Sequence, residues 1–413
     1  MKPKKNELRN KSLQGAFWLG SLRVIIKAFA FFKLLVIARI LSPHDLGLFG
    51  IMLLPYGFLE VALESGMNQA LIQTKKSPQR YLGTAWVTLI LRGSVIALAL
   101  FLLAGPVSRF YDTDLVLPIR ILALTPFLKG LINPAVVLFR KNLKYVKEFT
   151  YQSIASVAES LGTILLTLYL KDVLALPLGV VVGGLTALIV SWLMVRPSFA
   201  RVSWNRFKEL YGYGKWVTVG TFMSWLNDQG DDFLVSKVLG PQSLGLYQTA
   251  YKISNLPTTE GAGLIYQIIF PIFATIQNDM VRLKRGLIKA LTLTFSLSLL
   301  FALFVYLSAP FLVGWLLGEA WLPMVPALNV LLLFGISRPL ISVSSALFDA
   351  VGKPQIATYM NLIKLTTLVL LVWPLTHYFG IVGTAWAVVA AQLAAYPWYF
   401  KRLSSYFKPV TRS

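Results

Sequence analysis

The chain has 413 residues, 56% of them hydrophobic and 14% charged, with a mean hydropathy of +0.67. Soluble globular proteins carry about 25% charged residues, so this composition is that of an integral membrane protein. The formal net charge of +22 would fit nucleic acid only if the basic residues formed one face or a tail; they cluster instead in short segments between apolar runs, and the lack of cysteine excludes disulfides and thiolate metal sites.

The basic N-terminus, MKPKKNELRNKS, leads into an apolar stretch too long and too charged for a cleaved signal peptide, so a retained first span is expected. Twelve apolar segments of spanning length follow in chain order: 15–41, 44–66, 81–106, 115–138, 149–170, 173–195, 213–239, 243–272, 286–308, 322–347, 354–376 and 380–400. A helix needs about 20 apolar residues to cross the bilayer core. Among Lys and Arg at span ends and between spans, all except Arg39, Arg109, Lys171 and Lys237 fall on the side of the N-terminus. The positive-inside rule therefore predicts an even number of spans with both termini in the cytoplasm.

The chain also repeats itself. WLGSLRVIIKAFAFFKLLVIARILSPHDLGLF from Trp18 and WVTVGTFMSWLNDQGDDFLVSKVLGPQSLGLY from Trp216 align without a gap, matching Trp18 to Trp216, Leu41 to Leu239, Pro43 to Pro241 and Gly47 to Gly245. Pro43 and Pro241 suit the first turn of the next helix, and Ser42 with Asp45 forms a capping pattern. The expected fold is all-α and integral to the membrane: two pseudo-symmetric six-helix bundles, 1–200 and 201–413, related by a pseudo-twofold axis along the membrane normal. Parallel repeats of this kind are a transporter design.

Charges inside the spans carry the functional signal, because each one facing lipid at a helix centre costs roughly 2.5–3.5 kcal/mol. Arg92 and Lys129, near span ends, are expected to snorkel to the interface. In the seventh span Asp228, Asp231 and Asp232 share one helical arc with Thr221 and Ser224. In the first span Arg23 and Lys27 are an i,i+4 pair with Lys33 nearby, and in the second Glu60 and Glu64 are another. The repeat places Asp231 where the first half has Lys33, so the two are expected to face each other across a central cavity. The first six spans are net basic and the last six net acidic. Two readings follow: the basic half binds an anionic group such as a lipid-linked pyrophosphate while the acids take a driving proton or sodium ion, or the charges only balance one another as structural ion pairs.

Enzymatic chemistry finds little support. The sequence has no phosphate-binding Walker loop, and its two histidines, His44 and His377, lie far apart and make a poor metal site. The longest loop, about 196–212, is short and basic, where membrane glycosyltransferases and polymerases need a larger external element. The expectation is a protein that is not an enzyme and carries no metal or cofactor beyond a coupling ion.

The stretches ARILSPHDLGLFGI, ESGMNQALIQ and SKVLGPQSLGLYQTAYKISNLP resemble the polysaccharide-exporter, or O-antigen flippase, branch of the multidrug/oligosaccharidyl-lipid/polysaccharide exporter superfamily. The resemblance implies twelve helices in two bundles around a cavity lined by spans 1, 2, 7 and 8, working by alternating access. The implied substrate is an undecaprenyl-pyrophosphate-linked oligosaccharide, flipped across a bacterial inner membrane for surface polysaccharide synthesis, with a polysaccharide polymerase and chain-length proteins as further partners. In such flippases cationic cavity residues meet the pyrophosphate and acidic sugars; Arg23, Lys27, Lys33 and Lys252 lie in the corresponding spans and are the candidates here, and Glu60, Glu64, Asp228, Asp231 and Asp232 are the candidates for coupling or charge balance. The alternative is a cation-coupled multidrug exporter of the same fold, for which a basic N-terminal half is the wrong polarity.

Overall fold

The computed structural model describes residues 26, 28–73, 77–196, 201–277, 279–352 and 355–407, which are almost wholly helical and contain no strand. Arg23 and Lys27 lie outside the described residues. Residues 28–40 are helical, and the next helix, Pro43–Ala62, begins as the capping pattern requires. Asp45 donates its amide to Ser42 Oγ, and the Ser42 amide donates to Asp45 Oδ2 at 2.9 Å.

Then come Met67–Gln73, the long Leu82–Tyr111, a broken segment (Val116–Leu122, Leu124–Leu131, Val137–Lys141), Tyr145–Leu170 and Ala175–Met194. The second half contains Trp204–Ser254, a π turn at Pro257–Ala262, Gly263–Ile276, Met280–Leu316, Val325–Ala350, Gln355–Ala394 and Tyr396–Tyr406. Most described residues of the expected spans are helical, with non-helical residues that include 63–66, 132–133, 173–174 and 195. Among the described residues seven helices are long and apolar enough to cross a membrane, or eight if Val116–Leu131 and Pro134–Lys141, bent by 66°, form one span.

The boundary between the seventh and eighth expected spans lies inside one continuous run, Trp204–Ser254. Gly240 breaks it at φ 82°, ψ 178°, a conformation open essentially to glycine alone. The break folds the chain back on itself. Residues 16 apart in a straight helix are about 24 Å apart along the axis, yet Gln248 Nε2 donates to Asp232 Oδ2 at 2.8 Å. Where the first half uses a capped Ser42 before Pro43, the second half uses a positive-φ glycine before Pro241.

The chain forms two compact units, Met1–Trp225 and Leu226–Ser413. They divide within Trp204–Ser254, where the sequence reading divides them at 200/201. The packing inside them is that of a membrane protein. Met280–Leu316 buries Leu283, Leu287, Ala290, Thr294, Ser298, Ala302, Val305, Ala309 and Val313, every third or fourth residue. Its opposite face exposes Leu300, Phe304, Leu307 and Phe311, all more than half exposed. Small and hydroxyl residues face in and large apolar ones face out, because lipid is as apolar as leucine and close backbone approach holds the helices together. At 37 residues this helix is about 55 Å long, beyond the roughly 30 Å hydrocarbon core, and its excess carries Arg282, Lys284 and Arg285 at the N-terminal end.

Candidate functional site

In the N-terminal unit, two glycines set the geometry. A Cβ on Gly93 would lie 2.3 Å from the Pro126 carbonyl oxygen, and one on Gly130 would lie 2.7 Å from that of Leu89. Bare backbone at both positions lets Leu82–Tyr111 and Leu124–Leu131 touch, so their neighbours Arg92 and Lys129 both reach Glu60. Arg92 Nη2 lies 2.6 Å from Glu60 Oε2 and 3.3 Å from Glu64 Oε2; Lys129 Nζ lies 3.3 Å from Glu60 Oε1 and over the Tyr56 ring, 5.2 Å from its centroid. Arg92 Nε also donates to the Leu63 carbonyl at 2.8 Å, and its guanidinium to that of Glu60, satisfying two carbonyls left open at the helix end. Arg92 and Lys129, expected at the interface, thus both pair with Glu60.

The break after Leu131 has a local cause. Asn133 precedes a proline, which disfavours helical backbone there, and Asn133 caps the next turn by accepting from the Ala135 amide at 3.0 Å. Exposed backbone at membrane depth is tolerated only where other groups satisfy it. Trp192 Nε1 donates to the Leu131 carbonyl at 3.1 Å, the Asn133 amide donates to Ser191 Oγ at 3.1 Å, and Asn133 Nδ2 donates to the Val195 carbonyl at 2.8 Å. Beside this break lies a cavity of about 430 Å³. Glu60, Arg92 and Lys129 line it together with Arg140, Glu148 and Gln152. Arg140 Nη2 pairs with the buried Glu148 at 2.7 Å, and Gln152 Nε2 donates to the same carboxylate.

Lys33 lies elsewhere in this unit, its Nζ 2.9 Å from Glu159 Oε1. Glu64 Oε1 also accepts from the Gly66 amide at 2.9 Å.

In the C-terminal unit the three aspartates separate by partner. Asp228 pairs with Arg338 at 2.8 Å; the same guanidinium donates to the Tyr251 hydroxyl at 2.9 Å and lies over Phe334, 5.3 Å from the ring centroid. Asp231 and Asp232 are buried, 2% and 6% exposed. Tyr247 Oη donates to Asp231 Oδ2 and Gln248 to Asp232, across the fold that Gly240 makes. Asp231 Oδ1 is buried with no hydrogen-bonding side chain among the described residues. Lys252 is exposed on the same helix.

Sequence reasoning missed Arg140, Glu148 and Gln152, left Arg92 and Lys129 to the interface, and did not assign Arg338 a role. The available signal was Asn133-Pro134 inside the 115–138 span, a dipeptide that marks a turn.

This is a multi-pass, all-helical membrane protein with charged side chains held inside its helical units. Its fold is that of the MOP-superfamily transporters. Solved structures similar to it include the lipid II flippase MurJ in an inward closed conformation (TM-score 0.74, 14% identity, 94% of this chain and 87% of that one). A multidrug resistance MATE family transporter of the MOP superfamily in an inward-facing conformation is also similar (TM-score 0.72, 16% identity, 95% and 96%). Residues 36–326 match the polysaccharide biosynthesis protein family model, and the chain belongs to that family. Among its relatives are an uncharacterised membrane protein in the cps region of Klebsiella pneumoniae (22% identical, 98% of this chain and 84% of that one) and the lipopolysaccharide biosynthesis protein WzxC of Escherichia coli K12 (24%, 86% and 73%). The teichuronic acid biosynthesis protein TuaB of Bacillus subtilis 168 is 26% identical over 74% of this chain and 64% of its own length.

Proposed function

We propose that the protein is a flippase, not an enzyme, and moves an undecaprenyl-pyrophosphate-linked oligosaccharide from the cytoplasmic to the outer leaflet of a bacterial inner membrane. In this reading it spans the membrane twelve times with both termini in the cytoplasm and works by alternating access. The observation that carries it is a charged, hydrogen-bonding cavity inside a unit whose outer helical faces are apolar. A hydroxyl-rich headgroup in hydrocarbon loses several kcal/mol for each unsatisfied polar group; a protein that carries it must supply a polar path. The relatives' names in lipopolysaccharide and teichuronic acid biosynthesis support the same substrate class.

Within this proposal Arg23, Lys27, Lys33 and Lys252 meet the pyrophosphate or acidic sugars, and Asp228, Asp231 and Asp232, with Glu60 and Glu64, couple transport to protons or sodium ions or balance charge. A polysaccharide polymerase and chain-length proteins are its expected partners. The test is deletion of the gene followed by analysis of lipid-linked glycans. Accumulation of a cytoplasm-facing intermediate with loss of surface glycan supports flipping. Normal surface glycan with new sensitivity to cationic drugs would favour multidrug export instead.

A further inference from the structure

We propose that the cavity beside the broken helix of the N-terminal unit is a saccharide subsite that takes an uncharged sugar ring of the transported headgroup; this rests on the flippase reading above. Three features of the cavity lead there.

The first is charge balance. The cavity has three cations, yet each is already matched. Arg92 is held by Glu60 and Glu64, Lys129 by Glu60 and Arg140 by Glu148. The cavity's cationic charge is already balanced by these carboxylates, so a phosphate entering it would add net negative charge beside Glu60 and Glu148. A hydroxyl both donates and accepts, so it can give its proton to a carboxylate and take one from a guanidinium or ammonium without breaking either pair.

The second is the kind of group presented. Glu60, Glu148, Arg92, Arg140, Gln152 and Asn68 are planar, two-pronged side chains, matching the adjacent hydroxyls of a sugar ring in pairs. Tyr151 adds an aromatic surface for the ring's apolar face. The Asn68 side chain makes no hydrogen bond to any described residue and is exposed, so its amide is open to a ligand.

The third is size and position. About 430 Å³ falls within the roughly 300–1,000 Å³ of small-molecule pockets. Arg140 opens the 140–147 segment and Glu148 follows it; the basic-residue distribution assigns this segment to the cytoplasm, the side from which the substrate is loaded.

The test uses the full-length protein in nanodiscs with two purified probes: undecaprenyl diphosphate, and lipid-linked oligosaccharide extracted from the native host. Wild type should bind the glycan-bearing lipid more tightly. Asn68→Trp, which fills the cavity, should weaken that binding about tenfold and leave undecaprenyl diphosphate within about twofold. Gln152→Leu and Asn68→Ala, which disturb the fold less, should each lose part of the same difference, so a misfolded tryptophan variant does not decide the matter. Equal weakening of both probes, no weakening of either by any variant, or equal wild-type affinity for both would overturn the subsite while leaving the flippase reading in place. Wild type that binds neither probe would overturn the flippase reading and the subsite with it.

Discussion

Replacing Arg92 with leucine should expose how much of the N-terminal unit rests on its charge cluster. The Arg92 and Glu60 side chains are 17% and 19% exposed, with 2.6 Å between Nη2 and Oε2. Removing one partner of a buried pair costs about 3–5 kcal/mol, chiefly because a buried charge is left unpaired. Lys129 stays 3.3 Å from Glu60, but its side chain is half exposed, so it offsets only part of the loss. Arg92 also satisfies the Leu63 and Glu60 carbonyls, at about 1 kcal/mol each. Arg92→Leu should therefore destabilise by about 3–4 kcal/mol. Glu60→Gln, which keeps the side-chain shape and removes the charge, should restore part of this in the double variant. Equilibrium unfolding in mixed micelles gives the cycle, with an expected coupling of about 2 kcal/mol. A coupling under about 0.5 kcal/mol would refute the claim that these charges hold one another.

Gly240→Ala should destabilise by about 1–3 kcal/mol through backbone strain alone, since a Cβ there meets nothing within 4 Å; Gly230→Ala, in regular helix, should be neutral or stabilising by up to about 1 kcal/mol, and thermal melts of the two compare them directly. Gly93→Ala should cost about 1–3 kcal/mol by overpacking and lower the yield of folded protein, whereas Gly105→Ala, with open space around its Cβ, should not. Asp231→Asn keeps an acceptor for Tyr247 and removes the charge, and Asp231→Lys reverses it. Loss of transport in both, with the protein still inserted and monodisperse, is expected if the charge takes part in coupling; full transport by Asp231→Asn would reduce Asp231 to a partner of Tyr247.

The parts of this molecule that follow local rules were legible in the sequence. Ser42, Pro43 and Asp45 cap a helix in a pattern set by neighbouring atoms, and the helix starts there. The apolar runs became helices because backbone in lipid must pair internally, and an unbroken run of about 20 apolar residues does so as a helix, not as an alternating barrel strand. The ungapped repeat located the turn before Pro241, although glycine at 240 reaches it by a different backbone conformation from Ser42. Pairings between distant positions were not legible. Arg92 meets Glu60 across 32 positions and Lys129 meets it across 69, and no periodicity reports such distances. Gly93 and Gly130 decide that meeting, yet in sequence they read as ordinary small residues in a span. The broken helix was missed because apolar content continues through Asn133-Pro134, and hydropathy averages over a two-residue turn.

The most direct test of the account is transport itself. Purified protein is reconstituted into liposomes with lipid-linked oligosaccharide labelled in its glycan, and the fraction open to periodate added outside is followed with time. For a flippase, glycan initially shielded in the inner leaflet becomes accessible in protein-containing vesicles and stays shielded in protein-free ones. Equal rates in the two, from folded and correctly inserted protein, would contradict it.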